Sequence, residues 1–201
     1  MQVSLRRIFS VVFISFLFFS LSAFAGKNHA SAVFANGDLT APEPQDTFPV
    51  PYRITNQLFY LQRTTNTNTI VYSLNIGKDG KLIESNPVKV FWIRYPEGGM
   101  IKDLNMLQKT FAYGTLSHKN TDGSFAISLV SYKKYEMTLK KSPKNNGFAI
   151  HSLINKRDAI LSRIFVKIDP GGSLFSPNIA YVEVLGRDAE TGKPLMERFK
   201  P

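Results

Sequence analysis

From Leu58 onward, apolar and polar residues alternate with a period of two over most of the chain, the pattern of strands buried on one face. Ile70, Tyr72, Leu74 and Ile76 share one face, and Val88, Val90 and Trp92 another. Phe125, Ile127 and Leu129 repeat the pattern, followed by Tyr135, Met137 and Leu139, then by Phe148, Ile150, Ser152 and Ile154. Ile160, Ser162, Ile164, Val166 and Ile168 make the longest run. Ile179, Tyr181 and Glu183 alternate with Ala180, Val182 and Val184, and Leu195 to Phe199 suits a last strand. Turn-forming residues separate the runs. Asp79-Gly80 and Asp122-Gly123 tolerate the positive φ of tight hairpins, and Asn145-Asn146-Gly147, Asn155 to Asp158 and Glu190 to Lys193 suit similar connections. Short turns between successive strands imply antiparallel neighbours.

One segment has a different period. Ile101, Leu104, Leu107 and Phe111 are spaced three to four apart, which predicts a short amphipathic helix over about 100–111, between Gly98-Gly99 and Gly114. Together these elements predict a mainly β fold. Its roughly eight to ten antiparallel strands would meander into a barrel or strongly curved sheet, because closure removes exposed edges. The alternative is an α+β arrangement with the helix across an open sheet.

The N-terminus is of another kind. Arg6 and Arg7 precede an apolar run from Ile8 to Phe19, and Ala23-Phe24-Ala25 follows as a small-residue cleavage motif. This layout predicts a secretory signal peptide over residues 1–25, with an apolar run too short to span a bilayer. Pro42, Pro44, Pro49 and Pro51 then mark residues 26–57 as an extended tether, from which Phe48 and Tyr52 are placed to dock on a single β-rich domain of residues 58–201. The expected location is the periplasm or the cell exterior.

Composition narrows the chemistry. Cysteine is absent, so the domain must hold together by burial alone, and thiolate metal sites and cysteine nucleophiles are excluded. The net charge of +10 falls to +8 once Arg6 and Arg7 leave with the leader, and most of it lies in residues 133–167, with nine basic and two acidic residues. Outside the cytoplasm such a segment faces anionic lipid, lipopolysaccharide or acidic glycan rather than nucleic acid. It also reads as a solvated lysine-rich edge that discourages strand aggregation. The three histidines, His29, His118 and His151, lack local zinc-site spacing, so no metal and no cofactor is predicted. Gly171-Gly172-Ser173-Leu174 reads as a loop, and no catalytic residue is assigned. Glu97 and Glu183 are the carboxylates best placed for glycan hydrolysis.

The densest cluster is Phe91 to Glu97, which holds the only tryptophan. By parity Trp92 and Arg94 share a face. Arg63, after Leu58-Phe59-Tyr60-Leu61, is placed alike, and Tyr113 follows the predicted helix. Arg63, Trp92, Arg94 and Tyr113 are therefore the candidate ligand-binding residues, with the arginines for an anionic group and the aromatics for apolar contact. The opposing reading has Trp92 filling the core and each arginine pairing with a carboxylate at the rim.

Leu58 to Arg63, Asn66 to Tyr72, Trp92 to Tyr95 and Phe111 to Gly114, in that order, resemble an uncharacterised bacterial family of exported proteins, domain of unknown function 4833. The resemblance runs from about Phe48 to Pro201. It implies one domain behind an export signal and no particular reaction. The leading expectation is a non-enzymatic module that binds an amphipathic or anionic ligand. A hydrolase of envelope glycans or lipids, and an envelope scaffold that offers a strand edge, stand as alternatives.

Overall fold

The structure, a computed structural model, describes residues 48–64, 66–142, 147–172 and 177–201. The leader and most of the tether, like Asn145-Asn146, lie outside the described residues. Eleven strands join in one sheet: β1 (Gln57–Arg63), β2 (Asn66–Leu74), β3 (Val88–Arg94), β4 (Met100–Asp103), β5 (Thr115–Lys119), β6 (Phe125–Leu129), β7 (Tyr132–Lys141), β8 (Phe148–Ile154), β9 (Arg157–Asp169), β10 (Asn178–Asp188) and β11 (Pro194–Phe199). Nine of them follow the order β4-β3-β2-β1-β9-β8-β7-β6-β5 and curl into a half-barrel. The fold is mainly β and strongly curved, as the alternation predicts.

β9 is the hinge of this topology. Its first part pairs antiparallel with β8, from Ile154↔Arg157 to His151↔Ile160. Its later part pairs parallel with β1, from Tyr60↔Arg163 to Arg63↔Val166. Its other edge pairs with β10, which in turn carries β11. Between the two neighbours lies a bulge: Gly186 pairs with Leu161 and Leu185 with Arg163, so Ser162 has no opposite residue. An extra residue turns every later side chain to the other face. Ala159 and Leu161 therefore point into the core before the bulge, and Ile164 and Val166 after it. The long run Ile160 to Ile168 does not share one face, contrary to the alternation. The parallel pair is equally invisible to alternation, which reports faces and not neighbours.

Two four-stranded arms, β1–β4 and β5–β8, diverge from β9 and close on one core. Phe59, Ile70, Tyr72 and Val88 from the first arm meet Phe125, Leu139, Ile150 and Ile154 from the second, with Leu161 and Val184 from β9 and β10. Burying each such side chain contributes about 1.5–3 kcal/mol. The outer face of the first arm carries a second cluster, Val71, Phe91 and Ile93, packed against Ile54, Tyr60 and Tyr95. Residues of the expected tether lie close by: the Phe48 ring sits 5.3 Å from Phe165, Pro51 is buried, and Gln62 Nε2 donates to the Pro49 carbonyl at 2.9 Å. Tyr52 stays exposed.

The fold has one short helix, but it starts later than its apolar spacing predicts. Gly98 and Gly99 take positive φ and return the chain onto β3, so Met100–Asp103 is a strand and pairs Ile93↔Ile101. The helix α1 (Met106–Gln108) begins after Asn105, whose side chain accepts from the Gln108 amide while Gln108 Oε1 accepts from the Asn105 amide. It widens into a π turn over Lys109–Tyr113. Because β4 and β5 are the two ends of the nine-strand path, this short link bridges the open side of the half-barrel. Leu104, 4% exposed, anchors it to the core.

Candidate functional site

Strand parity places Phe59, Leu61 and Arg63 of β1, Asn68, Ile70 and Tyr72 of β2, and Val90, Trp92 and Arg94 of β3 on the inner face of the first arm. The register pairs Leu61↔Ile70↔Trp92, and Arg63 and Arg94 continue the same face towards the rim. Tyr113 reaches this face from the bridge. Its ring meets Trp92 edge-on at 5.8 Å, and the Arg63 guanidinium lies over it at 5.7 Å. Three of the four residues singled out by parity and composition thus form one chain of contacts, Arg63–Tyr113–Trp92, and Arg94 shares the face of Trp92 two positions further along β3. Gly114 holds Tyr113 in position: any Cβ there would fall onto the Lys109 carbonyl, so only glycine lets the π turn end where it does.

The polar atoms of this face are unusual. Asn68 Oδ1, Tyr72 Oη, Trp92 Nε1 and Arg94 Nε are buried without a hydrogen-bond partner among the described residues. All four belong to two adjacent strands and one face. Such atoms are rare in folded proteins, and each costs about 1–3 kcal/mol when nothing pairs with it. Arg94 also holds Glu97 at 2.5 Å through Nη2, while among the described residues no carboxylate pairs with Arg63. Burial pushes the Tyr72 hydroxyl well above the usual phenol range, with Tyr113 adding to the effect. Burial likewise raises Tyr113, against the opposing pull of Arg63. Both stay protonated and able to donate. Indole, phenols and guanidinium present a concentration of donors, and the Asn68 oxygen is the one group among them that can only accept.

A second polar cluster lies on the outer face of the second arm. His151 on β8 faces Asp158 across the β8–β9 hairpin, with Nδ1 3.0 and 3.1 Å from its two carboxylate oxygens. Lys140 of β7 reaches the same carboxylate at 3.3 Å. Burial pushes the Asp158 carboxyl up, but the His151 hydrogen bond and charge, with Lys140, outweigh this and hold it below the ordinary carboxylate range. The cluster borders a cleft of about 390 Å³ that also takes in Lys134, Glu136 and Thr138. The hairpin turns on Asn155 and Lys156, both at positive φ, and this is what brings the histidine and the aspartate together.

The remaining sequence candidates disperse. Glu97, in the turn after β3, is held by Arg94, and Glu183 on β10 by Arg198. His118 lies on the exposed strand β5, and His29 is outside the described residues. The basic segment 133–167 is partly consumed internally: Lys140 pairs with Asp158, Arg157 with Asp188 at 2.6 Å, and Arg163 donates to Gln62. Among the described residues no three His, Asp or Glu side chains gather as metal ligands, and no helix is long and apolar enough to cross a membrane. Tyr72 and Asn68 escape sequence reasoning because a tyrosine within an apolar alternation reads as core. Asp158 escapes because an aspartate after Asn155-Lys156-Arg157 reads as part of a turn.

A family model described as Domain of unknown function (DUF4833) matches residues 59–198, which takes in both arms and both clusters. No curated protein and no solved structure matches the chain.

Proposed function

Because the chain belongs to the family described as domain of unknown function (DUF4833), a description that names no reaction, we propose from geometry that it is a non-enzymatic binding module for an amphipathic ligand with an anionic head. The observation that carries this reading is the set of unpaired buried polar atoms on the inner face of β2 and β3. A carboxylate or phosphate oxygen would satisfy Trp92 Nε1, the Tyr72 hydroxyl and Arg94 Nε, with Arg63 and Tyr113 at the rim. Ile70, Leu61 and the aromatic rings would take the apolar part. We place the protein in the periplasm or outside the cell, on the strength of its N-terminal leader pattern. The exposed cations of segment 133–167, Lys133, Lys134, Lys141 and Lys156 among them, would draw it toward anionic lipid, lipopolysaccharide or acidic glycan.

Native mass spectrometry of the purified protein should detect a bound amphiphile. Trp92 is the only tryptophan, so its emission should shift when the ligand is extracted. A clean apo mass, with Trp92 emission unmoved by a titration of long-chain carboxylates and phospholipids, would reject the proposal. The reading as a hydrolase of envelope glycans or lipids has one observation in its favour, the His151–Asp158 pair in its cleft. An aspartate that holds Nδ1 leaves Nε2 to take a proton from water. Ester and glycoside turnover that His151→Gln abolishes would support it, and turnover indifferent to that change would remove it.

A further inference from the structure

Eleven large apolar side chains are exposed among the described residues, and six of them, Met100, Ile101, Met106, Leu107, Phe111 and Leu116, fall within one stretch of seventeen. That stretch is the bridge across the open side of the half-barrel with the two edge strands it joins. Met106, 79% exposed, is the most prominent. Between Met100 and Leu116 the charged residues are Lys102, Asp103 and Lys109, and among the described residues no carboxylate pairs with either lysine. Apolar side chains that project singly from a short helix and two edges, with unpaired lysines among them, suit a headgroup layer: the apolar groups enter the acyl boundary and the ammonium groups meet phosphates. The net charge of +8 that remains without Arg6 and Arg7 acts in the same direction.

We infer that the β4–α1–β5 bridge docks on an anionic lipid surface. The partner is a bilayer rather than a second copy of the chain, because a copy would bring its own lysines and the same positive field against this face. The surface is continuous with the inner-face cluster. Tyr113 ends the bridge, and on β4 Met100 pairs with Arg94 and Lys102 with Trp92. Docked there, the open side of the half-barrel faces the membrane. Transfer of a lipid from the bilayer to Trp92 and Arg94 rests on the binding reading above, whereas docking itself does not.

The absence of cysteine allows a site-resolved test on the full chain. An environment-sensitive dye on Met106→Cys should shift to the blue with vesicles of phosphatidylglycerol and phosphatidylethanolamine, and about tenfold less with phosphatidylcholine alone. The same dye on Leu153→Cys, exposed on the far arm, should not respond. Lys102→Glu with Lys109→Glu should weaken vesicle affinity by about tenfold or more, while Lys193→Glu with Lys200→Glu, exposed on either side of β11, should leave the position-106 signal in place. A position-106 shift that follows protein concentration without lipid would mean self-association and overturn the inference. Equal shifts at 106 and 153, or none at either, would also overturn it. Docking that persists in Arg94→Met, which lacks the inner-face guanidinium, separates this outcome from failure of the ligand site.

Discussion

The two arms are built alike, from four antiparallel strands each, yet they treat their polar groups differently. Tyr135 on the inner face of the second arm donates its hydroxyl to Ser152 at 2.9 Å. Tyr72 on the inner face of the first arm is fully buried and donates to nothing. On the second arm's outer face, His151, Asp158 and Lys140 satisfy one another. On the first arm's inner face four polar atoms remain unpaired, and they cluster. A closed polar network stabilises a fold, whereas a cluster of unpaired atoms carries a penalty that only another molecule relieves. In the binding reading proposed above, the first arm is the working arm and the second its support.

The contrast can be broken or sharpened by substitution. The largest effect should come where the arms do not differ, in their common core. Ile70→Ala and Leu139→Ala, one per arm and both buried, should each lower stability by about 2–5 kcal/mol in urea denaturation. Both should shift the same single transition, and two separate transitions would show that the arms fold independently. Next in size, Arg63→Met and Arg94→Met should reduce amphiphile affinity at least about tenfold, by titration of Trp92 emission, with little change in stability. The two tyrosines then divide. Tyr135→Phe should cost about 0.5–1.5 kcal/mol because Ser152 loses its partner. Tyr72→Phe should leave the apo protein equally or more stable and weaken ligand binding. Equal losses for the two would mean that Tyr72 has a partner in solution.

The smallest effect concerns pH. Asp158 has a depressed carboxyl pKa in the fold, so its contribution is present above the unfolded value of about 3.9 and disappears as pH falls through the lower folded value. Asp158→Asn should therefore destabilise by up to about 1 kcal/mol near neutral pH, the size of a partly exposed ion pair. The difference from wild type should shrink as pH falls below about 3.9 in thermal melts followed by circular dichroism.

Much of this fold is legible in the sequence because burial on one face imposes a period of two. The runs at Val88, Phe125, Tyr135 and Phe148 each correspond to a strand. Alternation is silent on which strands become neighbours, so the β1–β9 pair and the branching at β9 had no signal. The spacing of Ile101, Leu104, Leu107 and Phe111 misleads because only Leu104 of the four is buried. The other three face outward, and the Gly98-Gly99 turn determines the local structure. In the candidate site, Arg63, Trp92, Arg94 and Tyr113 are readable as cations and aromatics that interrupt apolar alternation. Tyr72 and Asn68 are not, because what distinguishes them is a missing partner, a property of the folded neighbourhood alone.

The joint at β9 also sets an order of events. Thr64, just past β1, bonds to Ile168, 104 positions further along the chain. A polypeptide that emerges from its N-terminal end cannot seat β1 until most of the molecule has followed. Contacts this distant in sequence slow folding. The first arm, with its unpaired donors, is therefore the part that cannot take its place on β9 until the C-terminal half of the chain is present.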